Sequence, residues 1–149
     1  MASNGFEFAY MIDGKSATPV IRDWALAGHQ DVNVGDALTV DSSGYGTIVG
    51  TATAEVLGIC MEDTGGTVTA GDKYKIAIAQ REQVWRCSMD ATSTAFVVGY
   101  TKTIQFADQN TIDADGSTSG PMVLVDTDTD DDGNVLGYVA FNDTTFGNT

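Results

Sequence analysis

The sequence predicts an all-β fold, on three observations. Turn signals built from Gly, Asp, Ser and Asn recur at a spacing of roughly 8–12 residues, the rhythm of short strands joined by tight connections. The residues between them alternate apolar and polar, or run briefly apolar, over strand-sized windows. The composition points the same way: 19 Thr and 14 Val stand against 5 Leu, and 17 of the 21 acidic residues are Asp. Asp favours turns and caps, where its short carboxylate accepts nearby backbone N–H groups; Glu would have favoured helix interiors. At 149 residues and 42% hydrophobic side chains, the chain has the length of one compact domain and the apolar material for a core.

Taken in order, residues 1–30 read as an extended N-terminal arm with the first strands. Phe6, Phe8 and Tyr10 alternate at period two, which predicts an extended segment with one aromatic face, continued by Met11 and Ile12. This segment is either an ordinary first strand on its own core or an arm that crosses to a neighbour; as an arm, its removal would leave a folded β domain. Asp13-Gly14 is a turn signal, and Thr18-Pro19-Val20-Ile21 is extended because Pro restricts the residue before it. From residue 31 to 149 a single β domain is expected. Ala37–Val40, Gly46–Val49, Glu55–Met61, Lys73–Ala79 and Gln83–Cys87 read as strands, separated by Asp41-Ser42-Ser43-Gly44, Thr64-Gly65-Gly66 and Gly71-Asp72. A short helix over Ala91–Val97, capped by Asp90, is the one helical expectation. Met122–Val125 and Leu136–Phe141 are strands flanking an acidic connection. Val56-Leu57-Gly58 and Val135-Leu136-Gly137 echo one another, so that 31–89 and 90–149 read either as two copies of one β unit or as a coincidence of a common string.

The formal net charge of −14 argues against nucleic acid, whose binders need a basic footprint, and against an anionic membrane surface. From Asp108 onward the chain holds nine Asp and no Lys or Arg. That charge is expected on an exposed outer surface, with the less acidic, aromatic first part turned toward a partner. The N-terminus has neither a basic n-region nor an apolar h-region, so cytoplasmic synthesis is the expectation.

Catalytic material is sparse, and no enzyme is expected. His29, the single His, sits in a Gly-flanked turn and reads as a surface residue. Cys60 and Cys87 have no metal-type spacing and read as free, partly buried thiols, with a disulfide as the alternative. The sharpest local motif is Asp126–Asn134, where Asp128, Asp130 and Asp132 at alternate positions precede Gly133. That matches the first half of a Ca²⁺ loop. The twelfth position, Val139, lacks the bidentate carboxylate. The motif is therefore either a weak Ca²⁺ site at Asp128, Asp130 and Asp132 or an acidic hairpin tip; otherwise no cofactor is expected.

The arm, the Val34-Gly35-Asp36 turn and strand, the Gly58-centred strand, the Ala70-Gly71-Asp72 turn and strand, and Val84-Trp85-Arg86-Cys87 together resemble the capsid decoration, or cement, proteins of tailed bacteriophages. The likeness spans about Val32 to Cys87. It implies a β-tulip or β-barrel-like domain, usually a homotrimer, on the exterior of the virion. There it binds the major capsid protein and stabilises the shell, with Phe6, Phe8, Tyr10, Met11 and Ile12 as the segment that contacts capsid or neighbour. The competing expectation is a Ca²⁺-binding β-sandwich adhesion or binding module of a surface or secreted protein.

Overall fold

A computed structural model describes residues 5–51, 53, 55–90, 103–113 and 120–146, and the fold is all-β. Among these residues twelve strands run in order: β1 Glu7–Met11, β2 Ile21–Ala25, β3 Ala37–Val40, β4 Gly46–Ile48, β5 Gly58–Cys60, β6 Lys73–Ile78, β7 Gln83–Ser88, β8 Thr103–Ile104, β9 Phe106–Asp108, β10 Thr111–Ile112, β11 Met122–Thr129 and β12 Val135–Phe141. The expected helix over residues 91–97 lies outside the described residues.

The strands form two five-stranded sheets and a two-stranded ribbon, β10-β9. One sheet has the order β1-β7-β12-β11-β8, the other β2-β6-β5-β3-β4, and the pairings are antiparallel. The first 25 residues therefore supply an edge strand to each sheet. The boundary between residues 89 and 90 does not separate the sheets, because β7 pairs directly with β12.

Packing follows from strand alternation. In the second sheet Ala37, Ile59 and Ala77 lie in one cross-strand row and face the first sheet. Their small or compact side chains let the larger residues of the first sheet, Trp85, Leu124, Val139 and Phe141, fill the space between. The opposite face of the second sheet carries Leu38, Cys60, Ile76 and Ile78, packed with Leu26, Leu57, Val32 and Val68. The second sheet is thus buried on both sides at its centre. That explains why its middle strand β5, Gly58-Ile59-Cys60, is apolar at each position and shows no polar alternation.

Three sequence expectations are altered by register. The apolar run expected as one strand over Glu55–Met61 is in the ladder only at Gly58–Cys60. Upstream, the Val56 N–H donates to Asp143 O, which draws the chain toward the segment after β12. Second, Phe6, Phe8 and Tyr10 do not share a face. Phe8 pairs with Trp85 and Tyr10 with Val84, so a bulge at Ala9 takes up one residue and sends Tyr10 to the other side. Third, Phe6 is only 2% exposed and packs edge-on against Phe106 (ring centroids 5.6 Å apart), with Phe141 at 6.0 Å. The segment is an edge strand seated on the chain's own core. Removing it would strip Phe6 from that core rather than trim a detachable arm.

Candidate functional site

The outer face of the first sheet carries one polar row that crosses four strands. Glu7 of β1 pairs with Arg86 of β7, Arg86 with Tyr138 of β12, and Tyr138 with Asp126 of β11. The inner neighbours Trp85 and Val139 are buried, so alternation turns Arg86 and Tyr138 outward. Asp126 joins the row through a second bulge: Leu124 pairs with Val139 but Asp126 with Tyr138, which absorbs Val125. Asp128, two residues on, returns to the same face opposite Leu136.

Two bulges thus gather Tyr10, Arg86, Tyr138, Asp126 and Asp128 around one groove of about 640 Å³, with Phe8 also on its wall. The Tyr10 and Tyr138 rings stand 6.4 Å apart between centroids, inclined by 31°. The Arg86 Nη2 donates to Glu7 Oε2 at 2.6 Å. Hydrogen bonds from its guanidinium to Glu7 and to the Tyr138 hydroxyl hold the Arg86 proton more firmly than usual. The pair is partly exposed, so its stabilising effect is at most about 1 kcal/mol; its larger effect is to fix the guanidinium against the sheet.

The acidic connection is a hairpin tip. Asp130 O accepts the Gly133 N–H, Asp130 N–H donates to Asn134 O, and Gly133 takes the left-handed backbone (φ 85°) that closes the turn. Asp130 Oδ1 accepts the N–H groups of Asp132 and Asn134, and its Oδ2 accepts Asn134 Nδ2. These bonds hold its carboxyl below the usual carboxylate range. Asp128 Oδ1 accepts the Thr129 N–H. Asp128 stays on the strand while Asp130 turns inward to cap the loop. Among the described residues no group of three or more His, Cys, Asp or Glu side chains gathers as a metal site, and Asp128, Asp130 and Asp132 are not brought together as a ligand set.

Of the N-terminal residues singled out by sequence, Phe6 is core and Phe8 is half-buried against Trp85 (centroids 5.6 Å apart). Tyr10 and Ile12 are exposed, and Met11 is half-buried. Glu7, Arg86 and Tyr138 were not picked out in advance. The available signal was Arg86 itself, the one charged residue of its strand, flanked by apolar Trp85 and Cys87, which alternation must place outside. The expected separation of the acidic part from the aromatic part does not hold at this groove, since Asp126 and Asp128 stand on the same wall system as Tyr10.

The remaining polar groups have structural work. Cys60 and Cys87 are buried, and the Cys87 Sγ–H donates to Asn110 O. Burial pushes the Cys60 thiol up to about 11, while its Sγ–H donates to Glu62 O. Asp36, 1% exposed, accepts the Asn33 N–H on Oδ2 and closes the turn before β3. Desolvation raises its pKa, opposed by that hydrogen bond and assisted by repulsion from Asp108, Asp31 and Asp63. A carboxyl whose folded pKa is raised stabilises the fold below its unfolded pKa and loses that contribution as pH rises through the folded value. Asp36→Asn keeps an acceptor for Asn33 and removes the buried charge. It is expected to raise the melting temperature at pH 7, with the advantage shrinking as the buffer is acidified through the carboxylate range. A lower melting temperature at pH 7 would show that the charge itself is needed.

Comparisons with protein-family models, with curated proteins and with solved structures find no match to this chain.

Proposed function

We propose that this chain is a structural, non-enzymatic protein of a virion that binds the outer surface of a major capsid protein shell and stabilises it. The observation that carries this reading is the distribution of exposed apolar side chains. Among the described residues, four of the seven large exposed ones, Tyr10, Ile12, Val20 and Ile21, fall within the twelve residues from the end of β1 to the start of β2, each an edge strand of its sheet. An open sheet edge offers unpaired backbone N–H and C=O groups, and exposed apolar side chains beside it favour covering by another chain. Strand addition at such an edge takes its affinity from main-chain hydrogen bonds and its specificity from alternate side chains. The resemblance to capsid decoration proteins supplies the identity of the partner, and repeated attachment at symmetric positions would give avidity to a modest single contact. Self-association as a homotrimer belongs to the same proposal.

The test is cosedimentation of the full chain with shells of the major capsid protein encoded beside it. Saturable pelleting at a fixed ratio to capsid subunits is expected. Ile12→Asp with Val20→Asp, both at exposed positions, should weaken pelleting by about tenfold or more without lowering the melting temperature. Absence of pelleting at any concentration, or a gene with no capsid protein beside it, would count decisively against the proposal.

A further inference from the structure

We propose that the groove across β1, β7, β12 and β11 receives a lysine or arginine side chain presented by a protein partner. This rests on the partner-binding reading above and names the chemistry of one contact. Three observations converge on it.

The first is charge. Within the row, Arg86 is matched by Glu7 at 2.6 Å, which leaves Asp126 and Asp128 as the surplus. Each holds only one oxygen on a neighbouring N–H: Asp126 Oδ1 accepts Thr127 N–H and Asp128 Oδ1 accepts Thr129 N–H, both at 2.8 Å. Neither carboxylate has a basic partner among the described residues. Two like charges at alternate strand positions repel, and a cation placed between them relieves that repulsion.

The second is the pair of tyrosine rings, 6.4 Å apart on the same groove. Their electron-rich faces attract an ammonium or guanidinium, and the attraction grows as the cation loses water. The third is the field of the chain. A net charge of −14 draws cationic surfaces from a distance and repels anionic ones, so the encounter is steered in the sense that the groove requires. A neutral saccharide would also stack on tyrosine, but it gains nothing from the surplus carboxylates. The charge balance therefore favours the cation.

The probe is a blocked pentapeptide of threonine and valine with one central lysine, titrated into the full chain and followed by NMR. Saturable shifts are expected at Tyr10, Tyr138 and Arg86, weakening steeply as salt is raised. The same peptide with central glutamine should bind about tenfold more weakly or worse. Asp126→Asn with Asp128→Asn should cost a similar factor. Asn keeps the Oδ1 acceptor for Thr127 and Thr129, so the melting temperature should not fall. Equal binding of the lysine and glutamine peptides, no saturable shift with lysine, or tighter binding of a neutral oligosaccharide at these residues would overturn the proposal. The two readings fail separately. If wild type and the double variant pellet alike with capsid shells and the peptides give no shift, the groove assignment falls and the capsid reading stands. If the lysine peptide binds but the chain never pellets with shells, the reverse holds.

Discussion

Phe6→Ala is expected to destabilise the chain by about 3–5 kcal/mol, the range for emptying a buried aromatic site. Phe6 is the third ring of a cluster with Phe106 and Phe141, and it reaches that cluster from the position just before the sheet-edge strand β1. Its backbone is held as well, since the Phe6 N–H donates to Gly35 O at 2.8 Å. The alanine side chain would leave a cavity between the N-terminal strand and the ribbon β9–β10. For a chain of this length the loss corresponds to a fall in melting temperature on the order of 10 °C. Tyr10→Ala, on the outer side of the same strand, should cost about 1 kcal/mol or less, because Tyr10 is 43% exposed. Urea unfolding of the two variants at several protein concentrations checks this. A Phe6 loss below about 1 kcal/mol, or one that appears only at concentrations where the chain self-associates, would mean that Phe6 packs on a neighbouring copy.

The contrast between Phe6 and Tyr10 also explains what was legible in the sequence. Local features could be read directly. Ala37–Val40 is β3 to the residue, and Lys73–Ile78 and Gln83–Ser88 lie within a residue or two of their expected bounds. These strands sit between Gly- and Asp-marked turns, and a turn is a short-range object fixed by a few backbone angles. The turn at Asp130–Asn134 was legible as an acidic hairpin tip, one of its two readings, for the same reason, whereas Asp126–Thr129, expected in the connection, extend β11. Period two, by contrast, predicts one face only if the strand is regular. The bulge at Ala9 depends on how β1 meets β7, which lies more than seventy residues away. The row Glu7, Arg86, Tyr138 and Asp126 is illegible on the same ground. It exists only once β1, β7 and the β11–β12 hairpin have taken their registers and the bulge at Val125 has shifted the count.

Gly58→Ala should cost at least about 3 kcal/mol, at the upper end for a clash in a packed interior. A Cβ at Gly58 would lie 2.1 Å from Ala77 O and 2.9 Å from Ile76 Cγ2. The first obstacle is backbone within the β5–β6 ladder, so it cannot rotate aside. To make room, β6 must withdraw from β5, which opens the pairs Gly58–Ile78, Ile59–Ala77 and Cys60–Ile76 at the doubly buried centre of the second sheet. Gly137→Ala gives the control. Gly137 follows the same Val-Leu dipeptide, but its Cβ would meet Ile112 Cδ1 at 3.1 Å and Met89 Sδ at 3.2 Å, the ends of side chains that can shift by a few tenths of an ångström. That variant should lose about 1 kcal/mol. Thermal unfolding of the pair therefore measures whether the repeated Val-Leu-Gly string has the same role in both places. In this structure the first glycine is required by a backbone carbonyl and the second only by side-chain tips. Equal losses at the two positions would argue for two structurally equivalent copies of one β unit, and a large loss at Gly58 alone would assign the requirement to the β5–β6 contact.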